Sequence, residues 1–560
     1  SAQGLGWSVA GVGDLNGDGL ADVLVGARYG TSPGFSNNGV DWVVYGKTST
    51  EQVNLSAVNA GSGGFALYGQ FSAGRSGYAL SGAGDVNGDG YTDLLLTAYQ
   101  NNRAYVMFGG SSNTSFNMAA LSAPGNGFYI DGDAGTATGW AVSSAGDVNG
   151  DGLDDLLVGV PAGSPGGRTS AGQAYVVFGK TDNTTVVLSS LTAGTSSAGF
   201  VFNGAGISDY TGYSVSGLGD VNGDGLADVI VGAPKVSALG TNSAGNGIGR
   251  SYVLFGKTDS TAVNLSALSS GANSQGFLIN GQNSGGNFGL SVADAGDFNG
   301  DGLADMIVGE PMAVVMGGAD VGKTYLIYGK TSGAVVNVSN LAQSDGFVII
   351  GSSNGLSGYD VSNAGDVNGD GFNDLLIAAQ NGTPPTTTGA RSSAGKTYVI
   401  FGGIAGAATK AIDFMGTAGG DALNAAGTSS NLNEQFIGGA GNDTLVGGGG
   451  ADVMYGGVGN DTFVLNADNL AQLASAAGNN AQDIARVSGG HGIDTLQISA
   501  TGLTLDVGSL RNGAVSGIER LDLNSASNVL KMNLADVMSL AGSDINGTTP
   551  VLDDSNNIFN

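Results

Sequence analysis

Six copies of a nine-residue stretch, Asp-x-Asn-Gly-Asp-Gly-x-x-Asp, carry the clearest chemistry in this sequence. In each copy oxygen-bearing side chains fall at positions one, three, five and nine, and glycines at positions four and six. Alternate side chains of a tight loop can converge on one point, and the carbonyl of position seven adds a further oxygen, as a hard cation such as Ca²⁺ requires. Glycine tolerates the positive φ that such a curl needs. The spacing therefore predicts six calcium-binding loops.

The predicted ligands occupy positions one, three, five, seven and nine of each loop, position seven acting through its carbonyl. They are Asp14, Asn16, Asp18, Leu20 and Asp22; Asp85, Asn87, Asp89, Tyr91 and Asp93; Asp147, Asn149, Asp151, Leu153 and Asp155; Asp220, Asn222, Asp224, Leu226 and Asp228; Asp297, Asn299, Asp301, Leu303 and Asp305; Asp366, Asn368, Asp370, Phe372 and Asp374. The middle four residues alone would also suit a hairpin turn. A turn has no need of carboxylates at positions one and nine, so calcium binding is favoured.

The loops recur at intervals of 71, 62, 73, 77 and 69 residues, which marks an internal repeat. Each unit holds short apolar segments bounded by glycine, such as Gly139-Trp140-Ala141-Val142 before a loop and Asp155-Leu156-Leu157-Val158 after it. Their length and their β-branched and aromatic content are typical of strands. About four strands per unit, repeated six times, predict an all-β chain whose small sheets pack radially as a β-propeller of six or seven blades.

Composition limits the possible partners. The chain has 560 residues with 104 glycines, no cysteine and one histidine, and 47 acidic against 18 basic residues give a net charge of −29. Such an acidic surface repels nucleic acid and anionic membranes, and no apolar run is long enough for a membrane helix. Millimolar-range calcium is found outside cells, so an extracellular setting is favoured.

The repeats resemble the FG-GAP repeats of the integrin α-subunit head. Phe288-Gly289 and Gly232-Ala233-Pro234 match the two halves of that name, whereas Gly159-Val160-Pro161 and Gly309-Glu310-Pro311 depart from it. The resemblance covers residues 1–403 and implies a propeller with calcium loops between the first and second strands of its blades. The integrin ring has seven blades, whereas six units are visible here.

One strand of the repeat is missing by count. The Gly-Phe segment, the predicted outer strand, occurs at Phe65, Phe128, Phe200, Phe277 and Phe347 only, and Ile412–Gly416 is the one candidate for a sixth. The chain also begins directly at a predicted inner strand. We therefore expect it to be part of a larger chain, cut near a blade junction, with a strand from upstream closing the ring.

The period changes to nine after residue 403. Residues 438–446, 447–455 and 456–464 repeat a Gly-Gly-x-Gly-x-Asp pattern, with a further copy at 489–496. The pattern resembles the RTX repeats of bacterial proteins exported by type I secretion, which implies a short parallel β-roll with one or two calcium ions and Asp443, Asp452 and Asp461 as ligands. The predicted organisation is a propeller at 1–403, a linker or last outer strand at 404–437, and a roll with capping strands at 438–560.

The sequence favours binding over catalysis. His491, the only histidine, lies in a nonapeptide copy, so no Ser-His or Cys-His pair can form. The variable segments between second and third strands lie on the face opposite the calcium loops and are the predicted recognition surface: Arg28–Asp41, Pro161–Gly172, Pro234–Arg250, Glu310–Lys323 and Gln380–Lys396. Arg28, Tyr29, Trp42, Arg168 and Arg250 are its candidate contacts to a protein or glycan ligand.

The predicted function is thus a calcium-stabilised adhesion or ligand-binding module of a secreted bacterial surface protein. Two alternatives remain open at this stage. One is a self-assembling structural component of a surface layer, and the other is a calcium-dependent propeller hydrolase, against which the small number of basic residues argues.

Overall fold

A computed structural model describes residues 4–18, 20–47, 49, 51–110, 114–236, 247–270, 274–299, 301–315, 319–352, 355–365, 367, 373–382, 395–402, 414–417, 419–425, 434–474, 485–499, 501–510, 514–524, 527–532 and 551–552. The chain is all-β apart from short helices and folds as a six-bladed propeller followed by a parallel roll. Both the predicted fold class and the short strands of the repeat units are confirmed.

Each blade is an antiparallel sheet in which the chain runs from an inner strand outward. The strands are Leu5–Gly11, Val23–Ala27, Val40–Val44 and Gly64–Tyr68 in blade 1; Leu80–Gly84, Asp93–Ala98, Arg103–Met107 and Gly127–Asp131 in blade 2; Val142–Gly146, Asp155–Val160, Gln173–Val177 and Gly199–Asn203 in blade 3; Ser214–Gly219, Asp228–Ala233, Arg250–Leu254 and Gly276–Asn280 in blade 4; Val292–Gly296, Asp305–Glu310, Lys323–Ile327 and Gly346–Ile350 in blade 5; and Ser357–Gly365, Asp374–Ala379 and Lys396–Ile400 in blade 6.

Short additional elements tie neighbouring blades together. Two-residue strands from the following unit pair in parallel with the outer strands of blades 1 to 4, at Phe116–Asn117, Val186–Val187, Val263–Asn264 and Val336–Asn337. A two-strand hairpin joins Val314–Val315 to Ala319–Asp320. The helical turns are Leu55–Asn59, Tyr99–Asn101, Met118–Ser122, Pro165–Gly167, Leu188–Thr192, Leu265–Ser270 and Val338–Asn340.

The apolar core lies between blades. The second strands of blades 2 to 5 are buried along their whole length, because each blade is covered on both faces. Leu24 and Phe65 of blade 1, for example, pack in one cluster with Leu94 and Leu96 of blade 2. Continuous apolar runs after the calcium loops follow from this double coverage.

The two end blades each leave one face uncovered. The residue after the position-nine aspartate is at most 1% exposed in blades 2 to 6, whereas its counterpart Val23 in blade 1 is 44% exposed. On blade 6, Val399 and Phe401 are 44% and 57% exposed, although the counterparts of Val399 in the other five blades are fully buried. Blade 6 also has only three strands among the residues that the structure describes. Within the part of the chain that the structure describes, the six blades therefore form an arc that is open between blade 6 and blade 1.

The C-terminal part forms a roll of two parallel sheets. One contains Phe414–Met415, Gln435–Ala440, Val453–Val458, Arg486–His491 and Val515–Ser516; the other contains Ala422–Asn424, Thr444–Val446, Thr462–Leu465, Thr495–Ile498, Arg520–Asp522 and Val551–Leu552. Thr504–Asp506 pairs in parallel with Val529–Lys531 and is followed by the helical turn Val507–Ser509. The helix Ala467–Leu473 lies in the chain between the roll strands Thr462–Leu465 and Arg486–His491. Phe436, Leu445, Met454 and Phe463 fill the interior.

The roll begins earlier than the sequence predicts. Segment 404–437 is predicted as a linker or the last outer strand of blade 6, but Phe414–Met415 pairs in parallel with Phe436–Ile437, and Ala422–Asn424 pairs with Thr444–Val446. This corrects the prediction for the described part of Ile412–Gly416. The apolar Phe414 stacks on Phe436, at 4.7 Å between ring centroids, and so joins the core of the roll.

Candidate functional site: calcium loops and the opposite mouth

The predicted calcium loops form tight turns held by their own side chains. In the third copy, Asp147 Oδ1 accepts hydrogen bonds from the N–H groups of Gly150 and Asp151, and its Oδ2 accepts from Gly152. Asn149 Oδ1 accepts from the Asp151 N–H, and Asp151 Oδ1 accepts from the Leu153 N–H at 3.0 Å. The second and fourth copies repeat this set of bonds, and the glycine at position four has a positive φ in the first four copies. The chain thus builds one loop design repeatedly.

The position-nine aspartate is an anchor as well as a predicted ligand. Asp155 is fully buried; its Oδ2 accepts from the Val148 N–H at 3.0 Å and its Oδ1 from the Gly179 N–H, at the end of the third strand, at 2.8 Å. The same pair of bonds recurs at Asp22, Asp93, Asp228, Asp305 and Asp374. One carboxylate therefore joins the start of each loop to the segment that follows the third strand of the same blade.

Burial disfavours the charged form of these position-nine aspartates. It raises the pKa of Asp22 to about 6 and of Asp93 and Asp155 to about 8, and the other aspartates of each loop add to the rise while backbone N–H donors oppose it. The pKa of Asp228 is likewise raised by burial and then by Asp220. A bound divalent cation would offset both the desolvation and the repulsion.

The donor set fits calcium. As the side chains stand, no three His, Cys, Asp or Glu side chains among the described residues are grouped closely enough to hold a metal ion, and the loop oxygens accept hydrogen bonds from their own backbone. Asp147 Oδ2 and Asp151 Oδ1 each accept one hydrogen bond and keep a second lone pair, and Asp, Asn and carbonyl oxygens are the ligands that Ca²⁺ prefers. The ligand set therefore stays a prediction. Asp366, Asn368, Asp370 and Phe372 of the sixth loop lie outside the described residues.

A ladder of buried aspartates runs along one edge of the roll. Asp443 Oδ1 accepts from the Asp421 N–H, Asp461 Oδ1 from the Asp443 N–H and Asp494 Oδ1 from the Asp461 N–H, at 2.7 to 2.8 Å. The Oδ2 atoms of Asp443, Asp461 and Asp494 are buried and have no hydrogen-bond partner within the described part of the chain. Burial raises the pKa of Asp461 to about 6 and of Asp494 to about 8. Orphaned carboxylate oxygens beside glycine carbonyls fit a calcium ion.

The structure separates the three predicted roll ligands. Asp452 lies outside this ladder: its Oδ1 accepts from the Glu434 N–H and its Oδ2 from Asn469 Nδ2, both at 2.8 Å. Asp494 is not among the predicted ligands but belongs to the ladder, because the strand that follows it, Thr495–Ile498, pairs directly with Thr462–Leu465. Its nonapeptide copy, Gly489–Leu496, was the signal in the sequence that could have identified it.

A row of aromatic side chains lines the other end of the inner strands. Trp7, Tyr78, Trp140 and Tyr213 occupy the same repeat position, and successive ring centroids lie 6.0, 5.2 and 5.5 Å apart. Tyr99 packs into the row at 4.0 Å from Tyr78. Tyr359 of blade 6 occupies the same repeat position and lies near Tyr213. We call this row, with Tyr359, the aromatic mouth. The residue types are visible in the sequence as part of strand segments, but no pattern there marks the row as a surface.

Comparison with known families confirms both kinds of repeat. The sequence matches the FG-GAP repeat at residues 5–43, 76–112, 138–177, 211–254, 288–327 and 357–400, and the RTX calcium-binding nonapeptide repeat at residues 428–463. This chain contains six FG-GAP repeats followed by RTX repeats. The matched FG-GAP segments contain the inner, second and third strands of every blade, apart from Val44 at the end of the third strand of blade 1.

The FG-GAP propeller is similar to integrin α chains. Integrin alpha-PS2 of Drosophila melanogaster is 28% identical over 236 residues, 42% of this chain and 14% of the integrin, and integrin alpha-5 of Xenopus laevis is 30% identical over 239 residues, 42% and 19% of the two chains. Phosphatidylinositol-glycan-specific phospholipase D of Bos taurus is 33% identical over 207 residues, 37% and 22% of the two chains. The matched part thus spans less than a quarter of each of these relatives.

The five candidate ligand contacts on the FG-GAP propeller lie in different surroundings. The prediction for Trp42 was wrong, because its ring is buried and its Nε1 donates to Asn59 Oδ1 at 2.7 Å. Arg28 lies over the Trp7 ring, 3.0 Å from its centroid, and also faces Tyr29. Arg168 donates to the Gly204 carbonyl, and Arg250 pairs with Ala233 and Asn280 inside blade 4. Only Arg28 and Tyr29 adjoin the aromatic mouth.

The RTX roll rests on the fifth calcium loop of the FG-GAP propeller. The Tyr455 hydroxyl donates a hydrogen bond to Asp297 Oδ2, and Arg486 Nη1 lies 3.8 Å from the same oxygen. Asp297 and Asn299 are buried, whereas their counterparts in the first three loops are partly exposed. No sequence pattern predicted this contact. Among the described helices, none has the length and apolar content needed to cross a membrane.

Proposed function

We propose that this chain is an extracellular ligand-binding module whose calcium sites stabilise the fold and whose aromatic mouth contacts a protein or glycan. The observation that carries this proposal is the row of part-exposed aromatic rings at the ends of the inner strands opposite the predicted calcium loops. Similarity to integrin α chains and the RTX repeats support export to a bacterial cell surface, with type I secretion as the route.

The chemistry of the mouth suits recognition. Trp and Tyr provide large rigid contact areas that lose little side-chain entropy on binding, and they dominate the energy of many interfaces. Trp7 and Tyr359, at the two ends of the row of repeat positions, are 49% and 41% exposed. Arg28, held over Trp7, adds a charged donor at the edge of the rings. Stacking and hydrogen bonding are thus available on one surface.

The proposal assigns no catalysis to this chain. One relative is named as a phospholipase D, but the only histidine here, His491, belongs to the RTX roll and not to the mouth. The buried carboxylates of the propeller loops each hold two backbone N–H groups and are committed to structure. Turnover of phosphate esters or glycosides by the isolated chain would contradict this part of the proposal.

A binding screen tests the proposal directly. The full chain in calcium is applied to glycan and protein arrays, and its ligands are then titrated against a double variant, Trp7→Ala with Tyr359→Ala. We expect at least about tenfold weaker binding, since each lost aromatic contact contributes on the order of 1–2 kcal/mol. The control is Val53→Ser with Val187→Ser, two exposed side chains outside the mouth. Equal affinity of the two double variants, with unchanged melting in calcium, would refute the mouth as the binding surface.

The open edges of the arc favour a second candidate, assembly of this chain into a surface structure. Val9 and Val23 on blade 1 and Val399 and Phe401 on blade 6 are exposed where other blades pack. Because the two faces differ, contact between them in different copies would be head-to-tail and could extend into a filament. Light scattering at fixed calcium should then show mass rising with concentration, and Val23→Asp with Val399→Asp should abolish the rise. A constant monomer mass over the same range would exclude assembly through these edges.

A further inference from the structure

The contact between the roll and the fifth loop brings a basic side chain to a predicted calcium ligand. Arg486 and Tyr455 belong to adjacent strands of one roll sheet, and both reach Asp297 Oδ2. The same oxygen accepts the Gly302 N–H at 2.8 Å, so it also closes the loop backbone. The roll therefore acts on the atom that holds the fifth loop in its turn.

Arg486 occupies a position of the roll that carries a different type of residue in each turn. In register it stacks on Val453, which in turn stacks on Gln435, so the three successive turns carry Gln, Val and Arg at one place. Ile437, Val453 and Tyr455 point away from the roll interior, yet they are buried as a separate cluster. This outer face is covered, and a quarter of the Arg486 side chain remains exposed beside it.

The second loop has no basic partner of this kind within the described part of the chain. In the second loop, Asp85 Oδ2 accepts only the Gly90 N–H, and Asp85, Asn87 and Asp89 remain partly or fully exposed. Three carboxylates in an exposed loop repel one another unless a cation is present. In the fifth loop, the guanidinium faces Asp297 and is also close enough to feel the charges of Asp220 and Asp305.

We propose that Arg486 and Tyr455 are positioning residues for the fifth loop, and that the Arg486 charge holds this loop in its calcium-ready turn when no calcium is bound. The guanidinium offsets part of the loop's negative charge, and the Tyr455 hydroxyl fixes the Asp297 carboxylate. The fifth loop and the roll then form one unit that persists in low calcium, while the exposed loops open. The inference rests on calcium binding by the loops, and it makes its own prediction for the calcium-free chain.

Amide hydrogen exchange of the full chain, with calcium and with chelator, tests this inference. The reporters are the amides at positions five to seven, Asp89, Gly90 and Tyr91 in the second loop and Asp301, Gly302 and Leu303 in the fifth, which donate matching bonds. In chelator we expect exchange to accelerate at least about tenfold in the second loop and less than about threefold in the fifth. Equal acceleration in both loops would overturn the proposal.

Variants of Arg486 distinguish the effect of its charge from the effect of burying the fifth loop under the roll. Arg486→Met keeps the apolar stem and removes the charge, so in chelator the fifth loop should exchange at least about tenfold faster than in the native chain. Arg486→Lys should restore most of the protection, and Arg520→Met, on the other roll sheet, should have no effect. If the fifth-loop amides of Arg486→Met stay protected in chelator, burial under the roll is sufficient and the proposed role of the charge is wrong.

The ladder amides of Asp443 and Asp461 report whether the roll itself stays folded. If Arg486→Met exposes them, Tyr455→Phe decides the matter, because it deletes only the hydroxyl that bonds Asp297. A fifth loop that stays protected in Tyr455→Phe would then refute the proposal. If calcium does not slow exchange in any loop, the calcium proposal itself fails, and that outcome is distinct from a failure confined to the fifth loop.

Discussion

We expect removal of calcium to lower the thermal unfolding midpoint of this chain by about 10 °C or more. Each site held at a calcium concentration 100 times its Kd stabilises the folded state by about 2.7 kcal/mol, and each kcal/mol shifts Tm by roughly 2–4 °C in a domain of a few hundred residues. Even two occupied sites therefore account for the expected shift. The physical origin is the buried position-nine carboxylates, whose desolvation and mutual repulsion a divalent cation relieves.

Calorimetry in calcium, in chelator, and after calcium is added back measures the effect. Magnesium at the same concentration is the matched control; it demands near-octahedral geometry and gives up its waters reluctantly, so it should restore little of the loss. An unchanged midpoint in chelator would mean that the loops are ordinary turns. The repeat chemistry would then have to be explained by the backbone hydrogen bonds alone.

Asp155→Ala is expected to destabilise the propeller by about 3–5 kcal/mol whether or not calcium is present. The substitution leaves the buried N–H groups of Val148 and Gly179 without their acceptor, and each orphaned group costs about 1–3 kcal/mol. Loss of a calcium ligand adds to this in calcium. Urea unfolding of the native and variant chains, followed by two probes in both conditions, gives the difference in the free energy of unfolding.

Asp151→Ala in the same loop is the informative comparison. Asp151 is exposed and accepts bonds only within the loop, from Leu153 N–H and Asn149 Nδ2. Its replacement should lower stability in calcium and change it by less than about 1 kcal/mol in chelator. A large calcium-independent loss in Asp151→Ala, or none in Asp155→Ala, would contradict the assignment of position nine as anchor and position five as ligand.

Much of the fold follows from local chemistry that the sequence displays. The loops at Asp14, Asp85, Asp147, Asp220 and Asp297 carry their own hydrogen-bond partners within nine residues, so their conformation needs little from the rest of the chain. The segments that follow them are continuous apolar runs, and runs of that kind form strands buried on both faces. The five Gly-Phe outer strands were also identified, at Gly64, Gly127, Gly199, Gly276 and Gly346.

Other features were misassigned because distant strands compete for the same segment. Phe414 belongs to the sequence stretch expected to complete blade 6, but it gains a stacked partner in Phe436 by joining the roll. Trp42 has the residue type of a ligand contact, but its place in the third strand of blade 1 buries it. Whether such a side chain is buried depends on which neighbouring blade covers it, and the residues of a single segment do not indicate that.

The repeat, the six acidic loops and the change to a nine-residue period can be read from the sequence, because each rests on residues close together in the chain. Which repeat positions meet depends on the folded structure. It gathered Trp7, Tyr78, Trp140 and Tyr213 from four blades into one mouth, stacked Asp494 on Asp461 across an intervening helix, and set Arg486 against Asp297. The physical reason is that radial and parallel stacking place equivalent positions of successive units side by side, whereas the seating of the roll on one particular loop depends on shape and charge between surfaces far apart in sequence.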